Sequence, residues 1–259
     1  HKPLKGSAKN RQAVTIDYYA GLKPAQAPEG VIVAGKQTPK IFNPKRADDE
    51  QRRFTTYKPS MVFAYRDATG ALLGYVLRVD MGDGKKITPT IRYAVLPDGT
   101  TGWTHWHFDE PRTLYGADTL AASPAGQVFI CEGEKATDAC RRLIGVLAVT
   151  WAGGTQAVAK TDWTPLAGRK VVIWPDADAP GWEAAQEVAL LLHGIAAEVK
   201  IINPDGQVKG WDAADAEAEG WDKAKTLAWG KARIAVWTPP EQTEHAEQTE
   251  PEVDQTQPE

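Results

Sequence analysis

Acidic residues at three places in this sequence stand where side chains do chemistry. The apolar stretch Val128-Phe129-Ile130-Cys131 runs into Glu132-Gly133-Glu134-Lys135. A second apolar run, 170–174, leads into Pro175-Asp176-Ala177-Asp178, and Gly210-Trp211-Asp212-Ala213-Ala214-Asp215 follows. Carboxylates just past the C-terminal ends of neighbouring parallel strands share the rim where α/β folds bind ligands. Clustered like charges repel, and a hard divalent cation such as Mg²⁺ or Mn²⁺ offsets that repulsion. The chemistry indicated is metal-assisted phosphoryl transfer.

Each motif has a plainer reading when taken alone. Glu132 also suits the positive end of a helix dipole. Asp176, Asp178 and Asp212 also suit helix caps. The matching positions of Glu132 and the Asp-x-Asp pair after two strands favour a site. The loop Trp151-Ala152-Gly153-Gly154-Thr155 reads equally as a phosphate approach or a simple turn. His105 and His107 lack a visible third ligand, so packing or surface roles are expected. Cys131 and Cys140 read as small buried hydrophobes. Of the ten Trp, mostly packing residues, Trp103 and Trp106 offer surfaces for base stacking. The sequence has no Ser-His-Asp order, GxxxxGK[ST] or GxGxxG.

The elements that must position these residues follow from periodicity. Strands are predicted at 127–131, 146–151, 170–174 and 198–202. Helices are predicted at 134–144, 155–160, 181–193, 212–219 and 222–231. Alternation of this kind implies a parallel sheet with right-handed crossovers. Before it, 54–120 reads as a small antiparallel β unit, with strands near 61–66, 72–79, 91–95 and 102–108 and turns at Asp67-Ala68-Thr69-Gly70, Gly82-Asp83-Gly84 and Pro97-Asp98-Gly99. Its basic side chains Arg66, Arg78, Lys85, Lys86 and Arg92 are expected to be exposed. The expected division is an irregular extension over 1–53, the β unit over 54–120, the parallel-sheet domain over 121–237, and a disordered acidic tail or linker over 238–259.

The 259 residues are 42% hydrophobic and 25% charged, with two cysteines, which excludes a disulfide framework. No apolar run is long enough to cross a membrane, and no leader is evident, so a cytoplasmic location is expected. The chain opens at His1 and is expected to be a piece of something longer. Its net charge of −4 conceals a gradient. Residues 1–120 are net basic, residues 121–237 mildly acidic, and 238–259 carry seven acids and no base. A basic half beside an acidic, cation-binding half suits a polyanionic substrate.

Residues 129–134, 151–155, 175–181 and 210–215 together resemble the TOPRIM domain of topoisomerases, DnaG-type primases and some nucleases. The stretch 63–74 and the entry Pro111-Arg112-Thr113-Leu114-Tyr115-Gly116 resemble the basic subdomain preceding that domain in phage and plasmid primase-helicases. The resemblance covers roughly 60–222. It implies an α/β fold with a Rossmann-like parallel sheet, helices on both faces, and a small β-rich subdomain in front. It implies Glu132, Asp176 and Asp178 as catalytic groups, and these with Asp212 as ligands of Mg²⁺ or Mn²⁺. Gly133, Lys135, Gly153, Gly154 and Gly181 would border nucleotide phosphates, and Arg66, Arg78, Lys85, Lys86, Arg92 and Arg112 would hold nucleic acid. The implied function is primer synthesis on single-stranded DNA from nucleoside triphosphates, in a bacterial host's cytoplasm, beside a fused or separate helicase. Two alternatives stay open: a metal-dependent nuclease, and a silent nucleic-acid-binding module. The second draws on a departure, because the family's Asp four residues after the glutamate is Ala136 here, with Asp138 two further on.

Overall fold

The computed structural model describes residues 17–240, so most of the expected acidic tail lies outside the described residues. The chain begins with short strands β1 (Lys23–Pro24), β2 (Ile41–Phe42) and β3 (Phe54–Thr55). Five more follow: β4 (Met61–Arg66), β5 (Leu72–Gly82), β6 (Lys85–Ile87), β7 (Thr90–Val95) and β8 (Thr101–His105). They form one sheet in the order β3-β2-β8-β7-β5-β4, with β1 on β7 and β6 on β5. The meander was legible because its turns use Gly and Asp where the backbone reverses. Asp67, for instance, accepts from the amides of Thr69 and Ala71. Three details differ from expectation. β2 joins the sheet parallel to β8, β5 runs on to Gly82, and β6 completes a hairpin with it. A two-residue strand has too little periodicity to announce itself.

The remainder alternates strand and helix: α1 (Ala117–Ala122), β9 (Val128–Cys131), α2 (Glu134–Ile144), β10 (Leu147–Val149), β11 (Lys170–Trp174), α3 (Ala179–Leu192), β12 (Glu198–Ile202), α4 (Ala213–Ala218), α5 (Lys223–Lys231) and β13 (Ile234–Val236). The second sheet has the order β10-β9-β11-β12-β13. Its first four strands are parallel, and β13 closes the edge antiparallel to β12. The region 155–160, expected as an α-helix, is a 3₁₀ helix.

Every residue of β9, and all of β11 after Lys170, is buried, as a strand covered on both faces requires. One face carries α1 and α3 over a core of Val128, Ile130, Val171, Ile173, Val188 and Leu192. The other carries α2, α4 and α5 over Phe129, Cys131, Val172, Trp174, Trp211 and Trp229. α2 buries Ala136, Thr137, Ala139, Cys140, Leu143 and Ile144, the spacing of one helical stripe. A third cluster of Phe63, Tyr65, Val76, Phe108, Tyr115 and Ala152 draws on both halves of the chain and packs the β unit against the parallel sheet.

This topology brings the candidate carboxylates together between β9 and β11. From β9 the chain crosses through α2 to β10 on one side, then returns to β11 on the other. Connections that leave a shared edge in opposite directions open a crevice above the C-terminal ends of the two strands. Glu132 immediately follows β9, and Asp176 follows β11 by two residues.

Candidate active site

Backbone bonds set the rim of this crevice. Gly133 has φ 87° and ψ 156°, open to glycine and strained for any residue with a Cβ. Its amide donates to Thr150 Oγ1 (3.0 Å), and its carbonyl accepts from Thr137 Oγ1 (2.9 Å). Glu132 is thereby held at the mouth of β9. On the next strand, Ala177 exchanges backbone bonds with the loop before α4. Its amide donates to the Trp211 carbonyl (2.9 Å), and its carbonyl accepts from the Gly210 amide (3.0 Å). That pair of bonds carries Asp212 to the side of Asp176. Gly181 must be glycine for a steric reason, since a Cβ there would lie 2.7 Å from the Asp176 carbonyl oxygen.

The aspartates do double duty. Asp178 is the N-cap of α3, accepting from the Gly181 amide at 2.9 Å. Asp212 caps α4 in a reciprocal capping box with Asp215. In both, Oδ1 serves the cap, so the capping and site readings are compatible.

Electrostatics mark the group as a unit. Burial, then the charges of Glu132, Asp212 and Asp178, push the Asp176 carboxyl up to about 8. Burial and Asp178 raise Glu132, opposed by Lys86. Burial raises Asp212 against the pull of its cap hydrogen bonds. Glu132 Oε2 and Asp176 Oδ1 are buried without a hydrogen-bond partner. Among the described residues, no three His, Cys, Asp or Glu side chains already converge as a finished cation cage. The orphaned oxygens and mutually raised carboxyls nevertheless fit a bound cation, which would supply the missing partner and the missing charge.

A cleft of about 440 Å³ lies over this rim. Glu132, Gly133, Glu134, Lys135, Asp176 and Asp212 line one wall. The β unit also lines the cleft, through residues that include Arg78, Lys86 and His107. Gly153 and Gly154 line it as well, in a loop held by Trp151 Nε1 donating to the Gly154 carbonyl (2.8 Å). Gly181 does not line this cleft, and underlies Asp176 instead.

The basic residues divide sharply. Lys85 and Lys86 are exposed on the β5–β6 hairpin. Arg78 reaches the cleft while paired with Asp80 at 3.3 Å. Arg66 is engaged by Glu29 through two bonds of 2.7 and 2.9 Å, away from the cleft. Arg92, expected to be exposed, is buried: it forms a two-bond pair with Asp109 and lies 4.2 Å over the Trp106 ring. Arg112 is also buried, bonding the Ala152 carbonyl and Glu110 beneath the Gly153 loop. These two guanidiniums hold loops together, since a strand face that looks polar in sequence is here covered by the following chain. Of the stacking surfaces expected, Trp103 is buried, and Trp106 is half-buried with the Arg92 guanidinium against one face.

Sequence reasoning missed two partners of the site. Tyr65 of β4 donates to Glu134 Oε1 at 2.8 Å, joining the β unit to the first turn of α2. Burial raises the Glu134 carboxyl, and the Tyr65 hydrogen bond opposes that. The chain separation of 69 residues leaves no local signal. His107 reaches the cleft, and His105 accepts or donates with the Tyr57 hydroxyl at 3.2 Å. At the position where the resembled family has an aspartate, Ala136 lines the cleft, and Asp138 turns away to Arg141 and Tyr115.

No family model matches this sequence, and no curated protein matches it. Solved structures do. A DNA primase domain from Pseudomonas aeruginosa is 15% identical, with 76% of this chain and 57% of that chain covered and a TM-score of 0.50. The primase fragment of the bacteriophage T7 primase-helicase is 19% identical over 65% of this chain and 60% of that one, with a TM-score of 0.41. A DnaG primase catalytic domain bound to single-stranded DNA is 18% identical over 71% and 55%, with a TM-score of 0.46. The chain thus spans somewhat more than half of each. No helix among the described residues is long and apolar enough to cross a membrane. The fold of this chain is that of the DNA primase domain from Pseudomonas aeruginosa.

Proposed function

We propose that this chain is the nucleotidyl-transferring core of a DNA primase, extending short primers on single-stranded DNA. The observation that carries the reading is the cleft itself. Two buried carboxylate oxygens without partners, on Glu132 and Asp176, belong to a cleft also lined by Lys86 and Arg78. That arrangement suits a triphosphate bridged between cation-bound carboxylates and basic side chains. Glu132, Asp176, Asp178 and Asp212 would hold Mg²⁺ or Mn²⁺. The bound ion would neutralise the triphosphate and stabilise the attacking and leaving oxygens.

The chain's own groups do the rest. Lys135 and Lys86 attract the phosphates, and the Gly153-Gly154 turn lets backbone amides come near them, the Gly133 amide being held by Thr150. Glu132, at the mouth of β9, would accept the proton leaving a 3′-hydroxyl. The single-stranded template runs along the β unit past Lys85 and Lys86. On the sequence resemblance, the setting is phage or plasmid replication with a helicase, fused or separate. Incubating the protein with single-stranded DNA, nucleoside triphosphates and Mg²⁺ tests the reading. Lengthened products support it. Shortened DNA points to a nuclease, and unchanged DNA refutes catalysis.

A further inference from the structure

A second groove, of about 350 Å³, lies beside Asp178. It is bordered by Asp178, Trp182, Pro204, Asp205 and Gln207. Trp182 stands on the first turn of α3, with its amide bonded to the Asp178 carbonyl (3.0 Å), and 39% of its surface is exposed. The opposing loop is fixed in shape: the Asp205 amide donates to Asn203 Oδ1 (2.8 Å), and Asn203 Nδ2 donates to Asp205 Oδ2 (3.0 Å). A large aromatic face is thus left open beside a braced wall, where burying it would have been favourable. Asp178 borders this groove and does not line the cleft, while its charge acts on Glu132 and Asp176.

Charge limits what the groove can hold. Its ionisable lining groups are Asp178 and Asp205, both acidic and without a lining cation, so a phosphate is disfavoured there. A flat neutral ring is favoured, since it stacks on indole without bringing charge. We infer that Trp182 is a stacking platform for a nucleobase, seated next to the carboxylate rim. This rests on the proposed primase reading and names where one base of its substrate lies. The base belongs either to the incoming nucleotide or to the DNA strand.

The test compares the parent with W182A and W182F, measuring affinity for ATP with Mg²⁺ and, separately, for a single-stranded 12-nucleotide DNA. Loss of one stacked base corresponds to a fall in affinity of about 5- to 150-fold. W182A is expected to lose that much for one of the two ligands, and W182F to stay within about threefold. Which ligand weakens identifies the source of the base. For the strand, an oligonucleotide carrying abasic sites should bind parent and W182A alike, a signature that a merely structural role would not produce. Equal affinities of parent and W182A for both ligands overturn the inference and leave the primase reading standing. A parent that binds neither ligand overturns both.

Discussion

Replacing Asp176 with Asn should stabilise the metal-free protein, increasingly so as pH rises. The Asp176 carboxyl sits at about 8 against an ordinary 3.8, because burial and three neighbouring carboxylates oppose its charge. The folded state therefore holds this proton through a range in which the unfolded chain has released it. The stabilisation from the protonated form is complete below about pH 4 and is lost as pH rises through about 8. At 1.36 kcal/mol for each tenfold change, the full gap corresponds to about 6 kcal/mol. Rotation of the side chain towards water relieves part of it, leaving about 2–3 kcal/mol. For a chain of this size that amounts to about 5–10 °C in Tm. The assay is thermal melting in EDTA at about pH 5 and about pH 8.5, for the parent and Asp176→Asn. The advantage of Asn should widen between the two conditions. Adding Mn²⁺ at the higher pH should raise the parent and leave the variant almost unchanged. An advantage that stays constant with pH, or an Asn variant that melts below the parent at the higher pH, refutes the argument that this rim stores unfavourable charge.

Paired substitution of Asp176 and Asp178 by Asn should abolish Mn²⁺ binding, read by electron paramagnetic resonance, without unfolding the protein, because Asn at 178 keeps the N-cap acceptor. Undiminished Mn²⁺ binding would move the metal site elsewhere. Removing charge at Lys85 and Lys86 should weaken binding of single-stranded DNA and flatten its salt dependence, measured by fluorescence anisotropy. Arg92→Gln should instead lower stability by about 1–3 kcal/mol in denaturant titration, since it breaks the bonds to Asp109 from within the core, with little change in the salt slope. Gly181→Ala should cost about 1–3 kcal/mol and weaken Mn²⁺ binding, because the new methyl would crowd the Asp176 carbonyl. A stable, fully Mn²⁺-competent alanine variant would show that the loop before α3 yields easily.

The sequence by itself determined the longer elements and the order of the candidate carboxylates along the chain. The runs 128–131 and 170–174 are apolar without alternation because both faces of a parallel strand are covered, so their ends could be found and Glu132, Asp176 and Asp178 read from those ends. Helix 134–144 was legible to the residue, through its apolar stripe and the Gly133 and Gly145 that bound it. Only the tertiary structure decided what those residues meet. The crossing of the chain over β9 brings Glu132 and Asp176 to one crevice, and the bonds of Ala177 with residues 210 and 211 carry Asp212 beside them. The same holds for the arginines. Arg92 and Lys86 look alike in a β-rich, basic stretch, yet one lies under Trp106 and Asp109 and the other stays exposed on a hairpin. Periodicity reports which face of an element is apolar. It carries no information about which distant segment covers that face, because such contacts depend on the packing of whole sheets rather than on any local sequence preference.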